Sequence, residues 1–196
     1  MKLYERLPKS VTVDGKKVRC DFDFRKVIRM MEIIGENDLM PEARNYLAAK
    51  CVVKGRVRNP EKIISALKEI LFPKQKRMPN GKRVTSYDQD AGYIRAAFRQ
   101  VYGIDLYRDR LHWLEFRELM DGLTEGNKYT EVVGIRSRDI PQATKYNQSE
   151  IKWLQEAKAA YALEIPEEER QAQYERDVRH VFDVLMGLVN RGEKNG

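Results

Sequence analysis

Cysteine and histidine are scarce in this chain, and long apolar runs are missing. Cys20 and Cys51 are its only cysteines among 196 residues. They are too few and too far apart for the disulfide framework of a small secreted domain, so a reducing compartment is expected. His112 and His180 are the only histidines, each in a predicted helix remote in sequence from either cysteine. The close cysteine or histidine pairs of a structural zinc site are therefore absent, and no metal is expected. Neither cysteine has neighbours that would select a reactive thiolate, which argues against a Cys–His nucleophile and for two small core residues. Neither G-x-G-x-x-G nor G-x-x-x-x-G-K-[ST] occurs, so the usual nucleotide-phosphate cradles are missing. The opening MKLYERLPKS lacks the apolar core of a signal peptide, and no stretch of roughly 20 apolar residues is present to span a bilayer. These absences lead to the expectation of a soluble cytoplasmic protein, not an enzyme, with no catalytic residues and no cofactor.

Apolar residues make up 42% of the chain, enough for one good core or two small ones. Basic residues exceed acidic ones by 37 to 30, a net charge of +7 on a chain that is 34% charged. Most charges are then expected on solvated helix faces, and the excess is weak evidence for nucleic acid.

Along the chain, Val11 to Cys20 read as a hairpin around Asp14-Gly15, a dipeptide that accepts the positive φ angles of a type I′ turn. Pairing across the turn sets Val11 opposite Val18 and Val13 opposite Lys16. The apolar face so formed needs a cover, since two strands alone are marginal. The next element is expected to supply it: a helix carrying Phe24, Val27, Ile28, Met31 and Ile34, capped by Asp21 or Asp23 and ended by Gly35. Two proline-opened helices follow, Pro41 to about Val53 and Pro60 to Phe72, the second capped by Asn59.

The run from Tyr87 to Leu123 predicts two further amphipathic helices. Tyr87, Ala91, Ile94, Phe98 and Val101 share one stripe; Ser86 and Gln89 fit a capping box, and Gly103 a left-handed stop. Trp113, Phe116, Met120 and Leu123 form a matching stripe on the second helix. A short helix is expected over Asn127 to Ile135 and another over Gln148 to Leu163, with Trp153 and Leu154 available for packing. Pro166 and three glutamates then open a last helix carrying Tyr174, Val178, Val181, Leu185 and Leu188. The fold class is therefore mainly α: an N-terminal β-hairpin packed on a helix, a multi-helix bundle and a C-terminal amphipathic helix. The expected divisions are 1–73, a basic linker or loop at 74–86, a central helical region at 87–163, and a C-terminal helix and tail at 164–196; one continuous domain is the alternative.

Two charged features invite a chemical reading. Asp88 and Asp90 make a D-x-D of the kind that binds calcium or magnesium, but an apolar helical stripe follows where further oxygen ligands belong, so helix capping is favoured. Lys74, Lys76, Arg77, Lys82 and Arg83 form a basic stretch that suits contact with phosphates or an acidic partner, with Arg136 and Arg138 as additions. It contains no stacking aromatic, which favours a solvated loop.

Several segments together resemble the bacteriophage gp-fifteen family of long-tailed phages and prophages. They are Asp90-Ala91-Gly92-Tyr93-Ile94 with Ala97-Phe98, Tyr102-Gly103-Ile104-Asp105-Leu106, Leu111-His112-Trp113 with Phe116, and Gly122-Leu123. LYERLPKSVTVDG followed by Asp23-Phe24-Arg25, and Gly134-Ile135-Arg136 leading to WLQEAKAAYAL, extend the similarity over most of Met1 to Leu163. The resemblance implies a tail-assembly protein acting in the cytoplasm of the bacterial host, as a chaperone that coats the tape-measure protein, with other tail-assembly proteins as further expected partners. The alternatives are a nucleic-acid-binding accessory protein and a permanent virion component; a homo-oligomer is compatible with each, and a membrane partner is not expected. Tyr93, Trp113, Phe116, Tyr174, Val178 and Val181 are the expected partner-binding residues.

Overall fold

The structure is a computed structural model that describes residues 4–72 and 83–164. In chain order its elements are β1 (Ser10–Val13), β2 (Lys16–Arg19), α1 (Phe24–Gly35), α2 (Pro41–Val52), α3 (Pro60–Leu71), α4 (Ala91–Tyr102), α5 (Trp113–Asp121), α6 (Lys128–Ser137) and α7 (Gln148–Ala160). The fold is mainly α with an N-terminal hairpin, as the residue pattern predicts. The expected basic positions Lys74, Lys76, Arg77 and Lys82, and the expected last helix with Tyr174, Val178 and Val181, lie outside the described residues.

The hairpin has the predicted register, with Val11 opposite Val18 and Val13 opposite Lys16. Asp14 and Gly15 take φ of 49° and 74°, the pair of positive values that a type I′ turn requires. Its cover differs from expectation: β1 packs on α3, whereas α1 packs on α2 and α5. The segment between β2 and α1 pairs elsewhere: Cys20 forms a backbone bridge with Val53 and Asp23 with His112, which ties the start of α1 to the ends of α2 and α5. Asn59, expected to cap α3, is left-handed at φ 52° and makes no side-chain cap. Its amide donates instead to Asp14 at 3.2 Å, beside the Lys62–Asp14 ion pair at 2.7 Å, so α3 is tied to the hairpin turn.

Asp23 caps α1, its carboxylate accepting the Arg25 N–H at 3.1 Å. Gly35 closes that helix without a left-handed residue, the chain leaving at Glu36 in extended backbone. α4 begins at Ala91, later than its apolar stripe suggests, because residues 87–90 form a turn. Ser86 Oγ does accept the Gln89 N–H, at 3.3 Å. That bond closes the turn ahead of the helix; of the expected stripe, Ala91 and Val101 are exposed. Gly103 stops α4 at φ 69°, a conformation that glycine adopts without strain.

Buried side chains form a continuous cluster from Val11 to Tyr129, drawing on segments before Phe72 and after Arg83. At its centre Phe116 stacks on Phe24 at 4.6 Å and on Phe98 at 5.2 Å, with Trp113 at 5.9 Å. Removing such a buried ring typically costs about 3–5 kcal/mol, so these three helices are held mainly by aromatic burial. The Trp113 indole N–H donates to the Leu71 carbonyl at 3.0 Å, and Arg117 donates to the same oxygen at 3.0 Å. An otherwise open carbonyl at the C-terminus of α3 is thereby satisfied inside the core.

Candidate partner-binding surfaces

Trp113 and Phe116, expected to face a partner, are each only 1% exposed. They belong to the core, because the helix face that carries them is the one α5 turns toward α1 and α4. Tyr93 is half-buried and packs against the same cluster. Of the expected basic stretch, Arg83 is described and exposed; it borders a cleft with Ile28, Met31, Tyr87 and Asp88.

Asp90 and Arg136 have a different role from either reading above. The Arg136 guanidinium donates to the two Asp90 oxygens at 2.8 and 2.9 Å, with the Asp90 side chain buried and that of Arg136 largely covered. Asp90 also accepts the Ser86 N–H at 2.9 Å, and Arg136 reaches the Val84 and Tyr161 carbonyls at 3.1 and 2.6 Å. Metal coordination by Asp90 and phosphate contact by Arg136 are both displaced by this internal pair. Arg138 likewise holds Glu150 at 3.0 Å. Nothing in the sequence signalled the Asp90–Arg136 pairing, because the two residues stand 46 positions apart in unremarkable contexts.

His112 is the N-cap of α5. Its Nδ1 accepts the Leu114 N–H at 3.2 Å and its Nε2–H donates to the Pro8 carbonyl at 2.9 Å. Glu115 returns to the His112 N–H at 3.4 Å, completing a capping box. A ring that accepts at one nitrogen and donates at the other is neutral. Burial accordingly lowers its pKa, against the opposing effect of the Pro8 carbonyl and of Glu115 and Glu118. Burial also pushes the Cys20 thiol up to about 11 and raises Cys51, which keeps both protonated near neutrality. Among the described residues no three histidine, cysteine or acidic side chains gather as a metal site, and no helix is long and apolar enough to cross a membrane.

The surface that the residue pattern missed is on α2. Ala48, Ala49 and Val52 are buried on one side, while Met40, Tyr46 and Leu47 are exposed. At 100° per residue, Ala43, Tyr46 and Leu47 fall within one arc opposite the buried three, with exposed Lys50 among them and the N-cap residue Met40 just ahead of the first turn. The outer side of α2 therefore carries apolar side chains that its own core does not use. The available sequence signal was the failure of the apolar residues of α2 to concentrate on one side.

No curated protein and no solved structure matches the chain. The family described as Bacteriophage Gp15 protein matches residues 3–163, a span that includes the hairpin, the two-faced α2, the His112 cap and the Asp90–Arg136 pair. With that span matched out of 196 residues, the chain belongs to the bacteriophage Gp15 protein family, and this membership suggests a role in phage tail assembly.

Proposed function

We propose that this protein is a non-enzymatic tail-assembly chaperone that binds the tape-measure protein and shields it until tail-tube subunits polymerise around it. The observation that carries the reading is the outer side of α2, where Tyr46 and Leu47, with the N-cap residue Met40 ahead of them, are exposed while the other face of the helix is buried in the core. A long helical protein with exposed apolar stripes self-associates unless a partner covers them. An apolar helix face of this kind covers such a stripe by lying along it. Fully burying an exposed side chain of this size contributes about 1.5–3 kcal/mol, and Tyr46 and Leu47 are already half covered, so this surface supports a contact that later subunits can displace.

The test is coexpression with the neighbouring tape-measure protein. The wild-type chain is expected to raise the solubility of that protein and to co-purify with it, and the double variant Tyr46→Glu/Leu47→Glu to do neither while remaining folded. Mature particles are expected to lack the chaperone by mass spectrometry. If wild-type protein never co-purifies with the tape measure and leaves its solubility unchanged, the reading fails.

A further inference from the structure

The connection between α4 and α5 carries a second surface. Asp105 closes it as a turn: its Oδ1 accepts the Tyr107 N–H at 3.0 Å, and its own N–H donates to Asp109 Oδ2 at 2.8 Å. Three guanidiniums gather around that one carboxylate, Arg95 at 3.6 Å and Arg99 and Arg108 each at 3.9 Å. All three distances are ion-pair separations too long for hydrogen bonds. The Arg95 Nε is buried without a hydrogen-bond partner, and its guanidinium lies 3.8 Å from the centroid of the Tyr107 ring. Tyr107 is nevertheless 71% exposed. The Arg99 and Arg108 side chains are 68% and 88% exposed.

Ion pairs made by exposed side chains contribute about 0–1 kcal/mol to stability, so folding gains little from Arg99 and Arg108 beside Asp105. What the arrangement does supply is two outward guanidinium forks beside a partly open ring. We propose that Arg95, Arg99, Tyr107 and Arg108 form a docking surface for a carboxylate-bearing segment of a partner protein. Arg99 and Arg108 each fork a carboxylate, and Tyr107, backed by Arg95, packs against the chain between them. The surface is a mosaic: Asp105 and Asp109 lie among the arginines, and Arg25, which donates to the Tyr107 carbonyl at 3.3 Å, pairs on its far side with Asp23 at 2.9 Å. A polyphosphate backbone presents charge at every nucleotide and meets these acids. A peptide with spaced carboxylates avoids them. This surface is separate from α2 and does not rest on the tape-measure reading.

The experiment is fluorescence anisotropy at low salt on the full chain, with a fluorescein-labelled glutamate–alanine peptide and with labelled oligothymidylate of equal length. Arg99→Gln/Arg108→Gln is expected to weaken peptide binding about tenfold, whereas the charge-matched control Arg56→Gln/Arg58→Gln, at exposed positions elsewhere, weakens it by less than about twofold. Tyr107→Ala is expected to weaken peptide binding as well, and Tyr46→Glu/Leu47→Glu to leave it unchanged, which separates this surface from the one on α2. Equal losses in the two arginine pairs, absence of peptide binding, or tighter oligothymidylate binding lost with Arg99 and Arg108 would each overturn the proposal, the last in favour of a nucleic-acid surface.

Discussion

Arg136 and Asp90 meet through two parallel hydrogen bonds of 2.8 and 2.9 Å, the Asp90 side chain buried and that of Arg136 largely covered. The pair joins the start of α4 to α6, and Arg136 continues to the Tyr161 carbonyl after α7, so a single guanidinium ties three helices together. Arg136→Met leaves the Asp90 carboxylate buried and unpaired, and is expected to cost about 3–5 kcal/mol in urea unfolding. The double variant Asp90→Asn/Arg136→Met should cost less than the sum of the single changes, since the second removes the orphaned charge left by the first. Additive losses would show that the two groups act separately.

The two tryptophans occupy opposite environments. Trp113 is enclosed, while Trp153 is half exposed on α7. A Trp153→Phe variant, which keeps only Trp113, is expected to emit at short wavelength and to resist iodide quenching. Trp113→Phe leaves the accessible indole and loses the hydrogen bond to the Leu71 carbonyl, at a cost of about 1–3 kcal/mol. Ready quenching of the enclosed tryptophan would contradict its place in the core.

His112 makes stability depend on pH. Its folded pKa is lowered below the ordinary 6.5 chiefly by burial, so the unfolded chain binds a proton more readily. The stabilisation is fully present above 6.5 and is lost as pH falls from there to the lowered folded value. Protonation also removes the Nδ1 acceptor that caps Leu114. Unfolding free energies measured across this interval should fall toward acid in the wild type and flatten in His112→Asn, which keeps a capping oxygen.

The two faces of α2 should respond oppositely to substitution. Tyr46→Ser and Leu47→Ser on the outer face are expected to change stability by no more than about 0.5 kcal/mol. Ala49→Leu, on the buried face, overpacks the core and should cost about 1–3 kcal/mol. Thermal melts of the purified variants measure both. A large loss from Leu47→Ser would mean that the outer face serves folding rather than binding.

Local chemistry made much of the fold legible. Asp14-Gly15 accepts the turn that aligns Val11 with Val18, Gly103 accepts the left-handed stop of α4, and the apolar spacings on α1, α4 and α5 mark helices whose buried faces meet. Each rests on residues within a few positions of one another, where backbone preference and periodicity decide. The family resemblance was legible for the same reason, because its motifs are contiguous.

What the sequence could not decide was which partner each exposed-looking group would find. Trp113 and Phe116 carry the same aromatic signal whether a stripe faces a core or another protein, and only the arrival of α1, α3 and α4 around α5 buried them. Asp90 reads as a cap or a metal ligand until Arg136 arrives from α6. The sequence alone determined the elements and their apolar stripes, through short-range sterics and helical periodicity. Tertiary packing decided which stripes were consumed, because burial is a property of what lies opposite a side chain, and on α2 and around Asp105 it left apolar and charged side chains exposed.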